Sequence, residues 1–296
     1  MKIACLSDWH LTNTAPEKRI DNYEESVFRK YEFVLKHCDD NGIKYLVGGG
    51  DIFNHPRMSL GFVSNVIKIS NRYNVKILVV AGQHDLFWHN YNLNNTPLGL
   101  LKNAGVVTML GDEPLMDGNI HFYGAGWEQP IPKIIDKNAV TILAIHIMTI
   151  KDKKVYEQQE DYITAGSLLK NNPFDLIVSG DNHQTFTELY KGRRLVNSGS
   201  LMRSTVAQKG HNPSFFVYDT DDKTLEQVLI PCLPAHEVLL INEHEESKEL
   251  NQRLILYKNA LTEEVESDFN FVDNIKKKLK LIEVNDRVKE IIGECV

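Results

Sequence analysis

The sequence predicts an α/β fold in which a largely parallel sheet, covered by helices, packs against a second sheet. Three observations predict it. Short β-rich runs alternate with helical patterns through the first part of the chain, the pattern of parallel strands joined by helices on the sheet faces. More β-rich runs then follow with few helices between them, enough for a second sheet. Five runs also end abruptly in Asp, His or an amide, the position at which open α/β sheets bind ligands.

The elements follow in order. "KIACLS" (2–7) reads as a first strand, and a polar loop containing Asn13 to Pro16 follows it. In "NYEESVFRKYEFVLKHCDDNG", Val27, Tyr31, Val34 and Leu35 recur at helical spacing, with Gly42 as a C-terminal stop. "IKYLVGGGD" is the next strand, "LGFVSNVIKISNRY" the next helix, and "VKILVVAGQHD" a third strand of the same design. "VVTML", "NIHFYGAGW", "AVTILAIHIM", "DLIVSGD", "RRLVNSGS" and "SFFVYDT" supply the expected second sheet.

After about Pro234 the character changes. "NEHEESKELNQRL" is charged, and the tail places Ile275, Leu279 and Ile282, then Val284, Val288 and Ile291, at helical spacing. The expected division is therefore a main domain over 1–234 and a small, partly helical C-terminal region over 235–296. The basic run "NIKKKLK" in that tail reads first as a solvated helix face and second as a partner-binding or DNA-contacting element, and the region as a whole as a cap or partner-binding element.

Bulk properties narrow the classes. A chain of 296 residues, 42% hydrophobic and 25% charged, is ordinary for a globular protein. A net charge of −7 argues against a body coated in basic surface for sequence-blind nucleic-acid binding. It leaves a nuclease open, because bound cations and a local groove attract phosphate to an acidic body. "MKIACLSDWH" turns polar too soon for a secretory segment, and no apolar run approaches a bilayer span, so no membrane association is expected. Cys5, Cys38, Cys232 and Cys295 show no CxxC spacing and read as free thiols of a cytoplasmic protein.

The strand tips carry the chemistry. The first strand ends in Asp8-Trp9-His10, the second in Gly50-Asp51, and the third in Gly82-Gln83-His84-Asp85. "AVTILAIH" ends at His146 and "DLIVSG" at Asp181-Asn182-His183. Any one of these is more simply a turn, but five at the same position relative to a strand are not. Mixed Asp, His and amide donors suit divalent ions such as manganese, iron or zinc. A pair of such ions about 3.5–4 Å apart supports in-line displacement at phosphorus. No Ser or Cys nucleophile stands at these tips, consistent with direct attack by water.

The order D-x-H, GD, G-x-HD, a lone H and G-x-x-H resembles the calcineurin-like metallophosphoesterase superfamily over residues 1 to about 220. The resemblance implies two β-sheets sandwiched between helices and two bound divalent ions. Asp8, His10, Asp51 and His183 would hold the first ion; Asp51, as bridging ligand, with Gln83, His146 and Asp181 would hold the second. His84 would contact the phosphate and stabilise the leaving oxygen, and Asp85 would orient His84 by a hydrogen bond. Two positions depart from the usual pattern: Gln83 replaces Asn, and Asp181 replaces His. Asp181 makes the second site harder and more anionic, so manganese is the expected metal, with magnesium, iron and zinc as alternatives.

Flanking residues point further. "GDIFNHP" and "GQHD" do not match the GDxxDRG and GNHE of protein phosphatases. "GDIFNHP" and "VNSGSLMRS" followed by "HNPSFFVYD" are similar to SbcD-type DNA repair exonucleases, phage and bacterial proteins that work with SbcC-type ATPases. The resemblance implies DNA as substrate, an SbcC-like ATPase partner, a homodimer, and a role in repair or recombination inside a bacterial cell or phage-infected host. His55, Trp88, His89 and Arg203 are the substrate-contact candidates, Trp88 and His89 because aromatic rings stack on unpaired bases. Two alternatives stay open: a phosphoesterase for cyclic nucleotides or other small phosphodiesters, and a binding scaffold without activity.

Overall fold

A computed structural model describes residues 1–88, 90–151 and 161–241. Its elements in chain order are β1 (Lys2–Leu6), α1 (Tyr23–Asp40), β2 (Tyr45–Gly48), α2 (Leu60–Ser70), β3 (Lys76–Val79), α3 (Pro97–Asn103), β4 (Val107–Met109), β5 (Leu115–Asp117), β6 (Ile120–Ala125) and β7 (Val140–His146). β8 (Thr149–Ile150), β9 (Ile163–Thr164), α4 (Ala165–Asn171), β10 (Leu176–Gly180), β11 (Phe186–Tyr190), β12 (Arg193–Asn197), β13 (Ser214–Asp219), β14 (Leu225–Leu229) and α5 (Ala235–Val238) complete the set.

Local chemistry starts the helices where the sequence has cap residues. The Asn22 side chain accepts from the Glu25 amide at the head of α1, Ser59 from Phe62 at α2, and Thr96 and Thr164 do the same for α3 and α4. Along α1, Val27, Tyr31, Val34 and Leu35 are buried, as their spacing predicts.

Two six-stranded sheets form, in the orders β14-β13-β1-β2-β3-β4 and β11-β12-β10-β7-β6-β5. Strand alternation divides the side chains among three cores. Ile3, Cys5, Tyr45, Val47 and Leu78 of the first sheet meet Ile142, Ala144, Leu176 and Val178 of the second between the sheets. Ala4, Leu6, Leu46, Ile77 and Val79 face α1, α2 and α3 on the other side. Leu143, Ile145, Ile177 and Leu195 face α4. The architecture is thus helix, sheet, sheet, helix.

Two strands differ from the sequence reading. "VVTML" (β4) and "SFFVYDT" (β13) join the first sheet rather than the second. β4 runs parallel to β3 after a crossover through α3, and β13 pairs antiparallel with β1, Lys2 opposite Asp219. Both runs were legible as strands, but their partners are set by long-range packing that local patterning does not encode.

Residues Met1–Ile241 form one compact unit, so it extends past the boundary expected at 234. Val238 and Leu239 are buried, and the Ile20 amide donates to the Val238 carbonyl at 3.2 Å. The rest of the expected C-terminal region, 242–296, lies outside the described residues, as do His89 and Cys295. Cys5, Cys38 and Cys232 are free thiols. Among the described residues no helix is long and apolar enough to cross a membrane.

Candidate metal centre

β1, β2 and β3 run parallel, as do β7 and β10, so their carboxyl ends reach one edge of the sandwich. There the sheets touch. The Ser7 hydroxyl donates to the Ser179 carbonyl at 2.5 Å. A Cβ on Gly49 would stand 2.9 Å from the Ser179 carbonyl carbon, and one on Gly50 (φ 100°) 2.8 Å from Cγ of His146. Only glycine permits that approach.

The loops that leave these tips are strained. Asp8, His10, Asp51 and Asp181 adopt φ of 47°, 44°, 49° and 88°, a left-handed region that costs non-glycine residues free energy and marks functional sites. Four of the expected ligands therefore owe their aim to unfavourable backbone torsions that the surrounding fold holds in place.

The structure brings all seven expected ligands into one contiguous cluster. His10 Nε2 lies 3.0 Å from His183 Nε2 and 3.7 Å from Asp51 Oδ2. Asp51 Oδ2 is also 3.5 Å from His146 Nε2 and 4.0 Å from His84 Nε2. Gln83 joins the far side, its Oε1 2.6 Å from His146 Nε2 and its Nε2 donating to Asp181 Oδ1 at 2.9 Å. Three overlapping triads could each hold an ion: Asp8, His10 and His183; His10, Asp51 and His84; Asp8, Asp51 and His146.

The donor set fits cations by its lone pairs. His146 Nδ1 faces the Gly49 carbonyl at 2.7 Å, which only accepts, so Nδ1 carries the proton of the neutral ring. Nε2 then presents a lone pair to the Gln83 carbonyl oxygen, itself an acceptor. Turning the Gln83 amide over would instead set its oxygen against the Asp181 carboxylate. Each protein-only arrangement opposes two acceptors, and a cation between them resolves the conflict. Asp8 Oδ2 is likewise buried without a hydrogen-bond partner among the described residues.

Electrostatics point the same way. Burial holds His10 well below the usual imidazole range, lowers His183, and brings His146 down to about 4, so all three imidazoles are neutral at pH 7. Burial, with Asp181 and Asp85 nearby, pushes Asp8 up to about 8. Burial, with Asp85 and Asp8, raises Asp51 as well. A carboxyl whose folded pKa is raised favours the folded state below its unfolded value, and that advantage is lost as pH rises through the folded value. The lowered imidazoles act in the opposite sense below their usual value of 6.5, so metal-free protein should lose stability between about pH 6.5 and 8 as the carboxyls ionise, and divalent ions should offset the loss. Melts with and without Mn²⁺ should show a metal-induced rise in Tm that grows from pH 6 to pH 8; a rise that shrinks over that range would contradict this.

Other expectations are corrected. Asp85 does not orient His84. It is fully buried and accepts from the amides of Gly82 (3.0 Å), Ile52 (3.2 Å) and Phe53 (2.9 Å), tying the β2 and β3 loops together. His84 Nδ1 instead faces the Asn54 carbonyl at 3.0 Å. Arg203 is not a substrate contact: it is 5% exposed and donates to the carbonyls of His211 and Leu233 and to the Asn212 side chain. His55 is exposed, and its Nδ1 accepts from the Arg57 amide in a local turn outside the cluster. Trp88 is 90% exposed, at φ 44°, on a turn closed by a Phe87–Asn90 bridge.

Sequence reasoning passed over several contributors. The carbonyls of Gly49 and Asn54 orient two imidazoles, and a backbone acceptor leaves no trace in residue type. Asn197, fully buried on β12, donates through Nδ2 to the carbonyls of Asn182 (2.5 Å) and Gln184 (2.7 Å), on either side of His183. Asn197→Leu should leave both carbonyls unpaired and loosen the Asp181–His183 loop. Mn²⁺ affinity by calorimetry is expected to fall about 10–100-fold, more than any loss of metal-free Tm explains.

Two recesses adjoin the cluster. A cleft of about 880 Å³ runs from His10, His84 and His183 along Ser200 to Asn212, and a smaller recess of about 470 Å³ lies beside His146 and Asp181.

Comparison with known proteins supplies the family. The chain is 22% identical over 205 residues to the DNA double-strand break repair protein Mre11 of Methanosarcina mazei, covering 62% of this chain and 31% of that protein. It is 23% identical over 233 residues to the protein of the same name from Haloferax volcanii, covering 72% and 48%. The chain thus spans less than half the length of either relative. Among solved structures, Vps29 of Entamoeba histolytica complexed with zinc aligns at 14% identity over 78% of this chain and 100% of that one, TM-score 0.36. GAP50 of Plasmodium aligns at 12% identity over 82% and 87%, TM-score 0.40. The family model for calcineurin-like phosphoesterases matches residues 1–185, through every tip from Asp8 to His183, and the chain belongs to that family.

Proposed function

We propose that this chain is a two-metal phosphodiester hydrolase acting on DNA, an SbcD-like nuclease of repair or recombination with manganese as its preferred metal. The observation that carries the reading is the convergence of imidazole nitrogens and carboxylate oxygens around Asp51, with acceptors left opposed at His146, Gln83 and Asp181 and Asp8 Oδ2 buried without a partner among the described residues. The two relatives named for double-strand break repair support DNA as substrate. In the same reading an SbcC-like ATPase and a second copy of the chain are partners, inside a bacterial cell or phage-infected host.

Asp8, His10, Asp51 and His183 would hold the first ion, and Asp51, Gln83, His146 and Asp181 the second. Such ions supply hydroxide at neutral pH and offset charge on the phosphoryl oxygens. His84 is 44% exposed at the mouth of the cluster, its Nδ1 anchored on Asn54. Protonated, it donates from Nε2 to the leaving oxygen as the P–O bond breaks. Asp85 holds the two loops in register from below. Trp88 offers an exposed ring on which an unpaired base stacks.

The test is cleavage of labelled single- and double-stranded DNA with Mn²⁺, beside bis-p-nitrophenyl phosphate and cyclic nucleotides. DNA cleavage that falls about 10²-fold in His84→Ala is expected, a modest catalytic loss because water reaches the exposed ring. Hydrolysis of the small diesters without DNA cleavage would replace DNA by a small substrate. Metal binding without hydrolysis of anything would leave a binding scaffold.

A further inference from the structure

We infer that the site takes the two ester arms of a phosphodiester in two unlike recesses, neither lined by a described Lys or Arg, and so reads a single dinucleoside unit rather than an extended phosphate backbone. The inference rests on the proposed function and narrows its substrate. Asp181 and Met148 line both recesses, so the two spaces meet at the metal cluster. A phosphorus atom at that junction has one arm directed into each.

The recesses differ in chemistry. The larger is walled by hydroxyls and amides, among them Ser200, Ser204, Thr205, Gln208 and Gln227. Its size, about 880 Å³, is within the range of nucleotide-sized ligand sites, and its groups suit a sugar and base by hydrogen bonds. The smaller is lined by Trp127, Tyr162, Ile147 and Ile163 with the carboxylates of Glu128 and Asp161. An aromatic and aliphatic wall edged by carboxylates fits a flat heterocycle bearing N–H donors, and it repels a phosphate.

That wall is held in place. The Trp127 amide donates to the Ala81 carbonyl at 2.9 Å, the Gly126 amide to Oε1 of Gln129 at 2.9 Å, and the Tyr91 hydroxyl to the Trp127 carbonyl. Glu128 adopts φ 56° at the rim. Among the described residues that line either recess there is no Lys or Arg. A groove that tracks several phosphates presents such cations, and its binding weakens steeply with salt. Its described lining presents carboxylates instead, and among the described residues no Lys or Arg stands there to hold a second phosphate.

The experiment compares dinucleoside monophosphates, unmodified or carrying an outer 5′- or 3′-phosphate, with single-stranded oligonucleotides, all with Mn²⁺ and the full chain. The unmodified dinucleotide should be cleaved with kcat/KM within about threefold of the oligonucleotide per strand end. The logarithm of kcat/KM should fall against log salt with a slope shallower than about −1, where each phosphate contacted on a single strand adds about −0.7. One of the two outer phosphates should lower kcat/KM about tenfold relative to the unmodified dinucleotide, and the exposed Glu128→Lys should bring that ratio back toward one. Calorimetric binding to Asp51→Asn should follow the same order. DNA cleavage with a slope steeper than about −3, or with dinucleotides ignored, would overturn the inference and leave the proposed nuclease standing. No cleavage of any diester by metal-loaded protein would remove the proposed function and this inference with it.

Discussion

Asp51→Asn is expected to abolish metal-dependent hydrolysis, by about 10³-fold or more, while raising the Tm of the metal-free protein. Asp51 Oδ2 lies within 4.0 Å of three imidazole nitrogens, and Oδ1 accepts from the His84 amide at 2.9 Å. The side chain is 1% exposed, and burial with Asp85 and Asp8 already disfavours its charge. Asparagine keeps the shape and one acceptor but removes the anion that two cations would share, at a cost of several kcal/mol. Without metal, the same exchange removes a buried charge that repels its neighbours, and stability rises. Thermal melts with and without Mn²⁺ and a rate on the best diester check both halves. A variant less stable than the parent without metal, yet still stabilised by Mn²⁺, would mean that Asp51 is a structural residue and not a ligand.

Gly82→Ala is expected to cost about 1–3 kcal/mol of stability and to reduce activity about 10²-fold, the effect of an ångström-scale misplacement. Gly82 has φ −93°, which alanine adopts freely, so the cost comes from contact alone. The added Cβ would stand 2.6 Å from both the backbone nitrogen and Cγ of Asp51, and neither atom belongs to a flexible chain end. Gly61→Ala is the control. Its Cβ would meet nothing within 4 Å, and within α2 the exchange should stabilise by about 0.5–1 kcal/mol. Equal melts and rates for Gly82→Ala and the parent would show that the β2 and β3 loops do not depend on that close approach.

The parts of this protein that the sequence made legible are those governed by neighbours along the chain. Short apolar, β-rich runs marked β1, β2, β3, β7 and β10, and helical spacing marked α1. The short strands β5, β8, β9, β11 and β14 lack an apolar run and exist because a partner edge pairs with them. The same distinction applies within the site. Asp8, His10, Asp51, His146, Asp181 and His183 could be picked out because each falls at the end of a readable strand. Asp85 was given a role toward His84 and Arg203 one toward substrate, and the structure spends both mainly on backbone groups inside the protein. Residue type announces a charge, but only packing reveals what neutralises it.

By itself the sequence determined that this is a helix-covered, two-sheet protein whose strand ends carry metal-type donors, because periodicity and chain order are local properties. The tertiary structure alone decided that β4 and β13 belong to the first sheet. It decided, too, that the Gly49 and Asn54 carbonyls set the imidazole tautomers and that two recesses of opposite character flank Asp181. Those facts depend on groups brought together from distant parts of the chain, and burial gives them their force: a lone pair or a carboxylate buried away from water needs a partner that no stretch of sequence specifies.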